Sequence, residues 1–123
     1  MDPVAVHLAM LADYLLPLAA ENPQGRASQR VDLDHEHLRM TAIGFTAGAV
    51  LPDHRNPGEA VLQVLRGRVR LSDARLTIEV EQGMIARIPD GLHRVEALEP
   101  SVILLTALPL PGRHEHPAAE SSH

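Results

Sequence analysis

The chain has 123 residues and a formal net charge of −5, so its length fits one domain and its charge argues against binding to a nucleic-acid backbone. It contains no cysteine, and all eleven of its basic residues are arginine, which excludes disulfides, thiolate nucleophiles and Schiff-base lysines. Its two aromatic residues, Tyr14 and Phe45, are too few for a base-stacking surface. The available chemistry therefore rests on His, Asp, Glu, Asn, Gln, Ser and Arg side chains.

The first segment of the chain predicts an amphipathic helix. Apolar residues recur at helical spacing from Val4 to Leu18, as expected for a helix that packs on one face. We expect Pro17 to end or kink this helix. The segment has no basic start, and His7 and Asp13 interrupt its apolar run, so it fits neither a signal peptide nor a membrane span. We therefore expect a cytoplasmic protein with no membrane partner.

A turn-rich stretch at 21–28 predicts a linker. It is followed by short apolar segments that turn residues separate from one another. Such a series is typical of an all-β barrel or sandwich. The continuously apolar segment 102–105 is expected between two layers or at a subunit contact. Residues 111–123 have no apolar periodicity and predict a disordered tail. The predicted strands are 29–33, 38–45, 60–65, 68–72, 76–81, 84–88, 94–97 and 102–108.

Two separated motifs carry a resemblance to a known family. The segment 48–67 reads GAVLPDHRNPGEAVLQVLRG, and the segment 83–93 reads GMIARIPDGLH. In their order of glycine, histidine and proline, these segments resemble the first and second motifs of the cupin superfamily. The resemblance to small single-domain bacterial cupins extends over about residues 39–108. The resemblance implies an all-β fold, the cupin double-stranded β-helix or jelly-roll barrel, with a short N-terminal α-helix. We expect a helix and linker at 1–28, the barrel at 29–110 and the tail at 111–123.

The same resemblance implies a site inside the barrel. His54 and His93 match two ligand positions of metal-binding cupins, whereas Asn56 stands where a second histidine of the first motif is usual. The carboxylate position falls on Ala60, with Glu59 one residue early. A one-residue offset turns a side chain to the other face of a strand, so Glu59 needs a bulge or wide loop ahead of it to face inward.

The ligand set implied in this way is at most His54, Glu59 and His93, for one divalent transition metal such as iron, manganese, nickel or zinc. Asn56 and Gln63 are expected to contact an organic ligand instead, because amide oxygens are poor ligands for soft transition metals. Simpler interpretations stand beside these: hydrogen-bonded strand histidines, a solvated carboxylate at Glu59 and a turn-forming Asn56. Arginine side chains at 87 and 94 are candidates for contact with an anionic ligand.

Two functions stay open at this point. The first is a small cupin-domain protein that binds a small organic ligand in the barrel through His54, Asn56, Gln63 and His93, with an incomplete metal site. The alternative is a metal-dependent enzyme of oxygenase or isomerase type that uses His54, Glu59 and His93. The first is favoured because two of the four usual ligand positions hold other residues. The apolar segment 102–105 and the resemblance also predict a homodimer.

Overall fold

A computed structural model describes residues 5–55 and 58–110 of the chain. Over these residues one helix precedes nine strands, which form two antiparallel sheets. The five-stranded sheet has the order β1-β2-β9-β4-β7, and the four-stranded sheet has the order β3-β8-β5-β6. The predicted all-β fold with a short N-terminal helix is confirmed. The elements are α1 (Leu8–Glu21), β1 (Arg26–Arg30), β2 (Arg39–Phe45), β3 (Val50–Arg55), β4 (Gly58–Arg66), β5 (Arg68–Ser72), β6 (Thr77–Glu81), β7 (Ile85–Arg87), β8 (Leu92–Ala97) and β9 (Ser101–Pro109).

Helix α1 packs on the outer face of the five-stranded sheet. Its buried residues Leu11 and Leu15 form a core cluster with Val102 and Leu104 of β9. The helix comes very close to β2 at Gly44, where an added Cβ would lie 2.9 Å from the Leu15 carbonyl oxygen. Glycine at this position therefore allows the helix backbone to contact the sheet directly.

A second and larger core lies between the two sheets. Phe45, Leu62 and Ile103 from the five-stranded sheet meet Val69 and Val95 from the four-stranded sheet. Successive residues of a strand point to opposite faces, so β9 serves both cores, with residues 102 and 104 toward the helix and residue 103 toward the other sheet. This confirms that the apolar segment 102–105 lies between layers.

The helix continues past Pro17 to Glu21, so it does not end at Pro17, and the other predicted effect of this proline, a kink, stays a prediction. A proline removes only its own N–H bond, here the bond to the Asp13 carbonyl. Ala19 in the last turn is fully buried. Its packing holds that turn against the sheet in spite of the missing hydrogen bond.

Two strands differ from the sequence prediction. Strand β3 was not predicted, because its sequence VLPDHR contains a proline followed by three charged or polar residues and shows no apolar alternation. Strand β1 begins at Arg26, inside the segment predicted as a linker, and pairs with β2 from Arg26 opposite Phe45 to Arg30 opposite Thr41. It is an edge strand with mostly exposed residues, so backbone pairing rather than an apolar pattern defines it. No helix in the described ranges is long and apolar enough to cross a membrane.

Candidate functional site

His93 is a buried polar residue on the inner face of the four-stranded sheet. It is 2% exposed, and along β8 it alternates with exposed neighbours, on the same face as the core residues Val95 and Ala97. Its Nδ1 lies 3.1 Å from the Gly91 carbonyl oxygen. A carbonyl only accepts, so Nδ1 carries the proton of this hydrogen bond.

Strand β3 places His54 directly opposite His93. Leu51 pairs with Val95, and His54 pairs with His93. Between these two pairs β3 advances by three residues whereas β8 advances by two, so the register shifts there. One extra residue in one strand is the definition of a β-bulge. Without the bulge, Asp53 would stand opposite His93.

On its other side, His93 neighbours the end of β5. The pairing of β5 with β8 finishes at Ser72 opposite Arg94. Asp73 follows directly after this last pair, and it lines a cavity together with His93. At this end of the four-stranded sheet, His54 pairs with His93, and Asp73 lies just past the end of the neighbouring strand.

The Asp73 carboxylate is held by the turn that follows β5. Its Oδ1 accepts hydrogen bonds from the backbone N–H groups of Arg75 and Leu76, each at 2.8 Å. These two bonds are the main reason that the pKa of Asp73 is lowered from its ordinary value. Burial opposes these two bonds and raises the pKa of Asp73, and the charges of Arg75 and His93 lower it by smaller amounts. Asp73 is therefore an ionised hydrogen-bond acceptor at neutral pH.

A cavity of about 310 Å³ lies beside His93. It occupies the notch that forms because β5 ends at Ser72 while β8 begins two residues further out, at Leu92. Five of the seven residues that line it are polar or charged: Asp53, Ser72, Asp73, His93 and Arg94. The other two are Ala74 and Leu92.

Two of the residues expected at the site lie elsewhere. Ala60 packs against the core between the sheets, so its exposed neighbour Glu59 points to the opposite, outer face of the five-stranded sheet. Gln63 shares that outer face, because its cross-strand partner Leu104 belongs to the core under the helix. The structure does not bring Glu59 or Gln63 to His93.

The other predicted site residues of the first motif and the predicted tail lie partly or wholly outside the described residues. Asn56 and the side chain of His54 lie outside the described part of the chain, as do residues 111–123. In the part that is described, no three His, Asp or Glu side chains converge to hold a metal ion. The fit of a metal therefore rests on the backbone pairing of His54 with His93, and Glu59 does not complete that pair.

The two aspartates of the cavity were not among the predicted site residues. Asp73 lies between the predicted strands 68–72 and 76–81, and Asp53 lies in a strand that was not predicted. Arg94 was proposed as a contact for an anionic ligand, and it does line the cavity.

No protein-family model matches this sequence, and no curated protein matches it either. The fold, in contrast, has many solved relatives. A Thermus thermophilus protein is 23% identical with a TM-score of 0.69, over 88% of this chain and all of that one. An RmlC-like cupin from Desulfovibrio desulfuricans is 27% identical with a TM-score of 0.60, over 72% of this chain and 88% of that one. A cupin superfamily protein from Desulfitobacterium hafniense is 14% identical with a TM-score of 0.65, over 76% and 89%. With its two antiparallel sheets and paired motif histidines, this chain has the jelly-roll fold of the cupin superfamily.

Proposed function

We propose that this small cupin-domain protein binds a small organic ligand in the cavity beside His93. The observation that supports the proposal is a histidine, buried on the inner face of the sheet, that is among the residues lining a cavity of ligand size. Small-molecule sites span about 300 to 1,000 Å³, and this cavity, at about 310 Å³, is at the lower end. The ligand is therefore small, comparable to a single amino acid or monosaccharide.

The polar groups around the cavity suit a binding site. Asp53, Ser72 and Asp73 supply hydrogen-bond acceptors, and Arg94 supplies donors. Residues directly opposite in an antiparallel pair share a face, so we expect His54 to contribute a second contact next to His93. Such a set orients a ligand by directional hydrogen bonds, as in most small-molecule sites.

The two amide residues, Asn56 and Gln63, differ in how their positions bear on the predicted contact with the ligand. Asn56 follows directly after β3 in the sequence, and its contact with the ligand stays a prediction. The outer-face position of Gln63 weighs against its expected role in the same site.

A cavity-filling substitution tests the proposal. Ala74 also lines the cavity and is exposed, so Ala74→Phe fills the space without disturbing a core. In a thermal-shift screen of small polar organic compounds, we expect at least one compound to raise the Tm of the wild type and to have no effect on Ala74→Phe. The matched control is Ala47→Phe, an exposed alanine in a turn elsewhere, which should keep the response. A compound that stabilises all three proteins equally would contradict a site in this cavity.

A metal-dependent enzyme of oxygenase or isomerase type is the second candidate. The pairing of His54 with His93 on neighbouring strands favours it, since two imidazoles on one sheet face are a usual part of a metal site. Cupins often bind a metal, and iron, manganese, nickel and zinc all accept imidazole ligands. Glu59 lies on the outer face of the five-stranded sheet and therefore does not complete a set of metal ligands with these histidines.

The homodimer and the cytoplasmic location stay predictions. The segment 102–105, which motivated the dimer, is used inside the protomer between its two cores. The test is sedimentation at micromolar concentration, in which a dimer has twice the 13.4 kDa mass of the chain. A species of 13.4 kDa alone would rule the dimer out.

A further inference from the structure

The cavity beside His93 carries charges of both signs. Asp53 and Asp73 contribute carboxylates, and Arg94 contributes a guanidinium group. Ion pairs between described residues join other partners, among them arginines 66, 68 and 70. None of them joins Arg94 to Asp53 or Asp73. The guanidinium nitrogens of Arg94 therefore lie more than 4.0 Å, the longest N···O distance of an ion pair, from the oxygens of both carboxylates. A ligand that spans the cavity can meet both.

We propose that the ligand of this cavity is a small zwitterion, with an ammonium group at Asp53 and Asp73 and a carboxylate group at Arg94. This inference rests on the proposed function and adds the chemical class of the ligand. An ammonium group has three N–H donors, and the two carboxylates with the Ser72 hydroxyl provide three acceptors. A planar guanidinium binds a carboxylate through two parallel hydrogen bonds.

Asp73 is prepared for this role before any ligand binds. In the described structure, both of its hydrogen bonds use Oδ1, so Oδ2 is the oxygen that serves the ligand. The turn fixes the carboxylate in place, and binding then costs little side-chain ordering. Asp73 is thus a preorganised anchor for a cationic group.

Other ligand classes fit less well. Two carboxylates against one guanidinium disfavour a simple anion. A sugar or a quaternary ammonium compound is usually held on an aromatic face, but Phe45 is buried in the core and Tyr14 lies on the helix. The described carboxylates and His93 do not converge as a metal site requires, which disfavours a bare divalent cation.

A series of four-carbon compounds tests the charge pattern by NMR. The probes are 4-aminobutanoate (zwitterion), butylamine (cation), butanoate (anion) and 1,4-butanediol (neutral), each titrated into the full 15N-labelled chain. We expect 4-aminobutanoate to shift the amide signals of Ser72, Asp73, Leu92 and His93 in a saturable way. Its Kd should be at least about tenfold below that of either singly charged compound, because each of those loses one of the two ionic contacts.

Matched variants check the assignment of each charge. Asp73→Asn and Arg94→Gln should each raise the Kd for 4-aminobutanoate about tenfold or more, which corresponds to about 1.4 kcal/mol. Asp32→Asn is the control for the first, because Asp32 also accepts a backbone N–H bond from a residue two positions on, at Asp34. Arg30→Gln is the control for the second, on the exposed edge strand β1. Both controls should leave the Kd unchanged.

The outcomes separate this inference from the proposed function. If butanediol or butanoate shifts the cavity amides and 4-aminobutanoate does not, the zwitterion is wrong while a small-ligand cavity stands. If the zwitterion binds but Asp73→Asn and Arg94→Gln bind it as well as the wild type, the charge assignment is wrong. If no probe shifts these amides and the thermal-shift screen also fails, both proposals are overturned.

Discussion

His54 and His93 are direct cross-strand partners at one end of the four-stranded sheet. They lie 39 positions apart in the sequence, and the bulge between Leu51 and His54 decides that they meet. A shift of one residue would place Asp53 opposite His93 instead. The bulge is therefore the local feature on which any paired-histidine chemistry of this chain depends.

Metal content is the first test of what this pair does. From the proposed ligand-binding function, we expect tagless protein to hold much less than one equivalent of iron, manganese, nickel or zinc by elemental analysis. The full chain should carry His114→Gln and His116→Gln, because two histidines separated by one residue in a sequence can bind metal without the rest of the protein. About one equivalent that is lost in the double variant His54→Ala, His93→Ala would instead establish the metal-dependent alternative.

The lowered pKa of Asp73 predicts how the stability of the protein depends on pH. A carboxyl group whose pKa is lower in the folded state than its ordinary value of 3.8 stabilises the fold above that value, and the effect is lost as the pH falls through the folded pKa. Asp73→Asn should therefore be less stable than the wild type at neutral pH, by a difference that shrinks between about pH 5 and about pH 2. Urea unfolding of both proteins across this range measures it. A difference that stays constant with pH would show that the charge of Asp73 contributes nothing.

Gly44 is predicted to be essential for docking of the helix. In Gly44→Ala the new methyl group meets the helix backbone at Leu15, and overpacking of this kind costs about 1–3 kcal/mol. Gly91→Ala is the control, since an added Cβ there meets nothing within 4 Å, and we expect a change within about 0.5 kcal/mol. Urea unfolding at pH 7 compares the two variants. Equal stability of both would mean that the helix packs less closely on β2 than described.

The core between the sheets should be the main source of stability. Ile103 is fully buried in it, so Ile103→Ala should lower the free energy of unfolding by about 2–5 kcal/mol. Ile85→Ala removes the same atoms from a residue that is 63% exposed, and its effect should stay below about 0.5 kcal/mol. Chemical denaturation measures both values. A large loss in Ile85→Ala would reveal that this exposed isoleucine is covered in solution, for example in a homodimer.

Several elements of the fold were predictable because their apolar periodicity matches their burial. The alternation of Val69 and Leu71 with charged neighbours predicts β5, and both are buried. The unbroken apolar segment 102–105 predicts a strand covered on both faces, as β9 is. In β1 and β3 the periodicity is absent, because edge strands have few buried positions and are defined by backbone hydrogen bonds to a distant partner.

The sequence by itself determined the fold class, the two histidine motifs and the exclusion of thiol and lysine chemistry, since these depend on residue types and local spacing. Tertiary structure alone decided which side chains share a site. Strand register and one bulge pair His54 with His93, the end of β5 leaves Asp73 at the same cavity as His93, and strand parity turns Glu59 to the outer face. Side-chain direction alternates with every residue of a strand, so the membership of such a site depends on pairing between distant segments, which spacing along the chain does not encode.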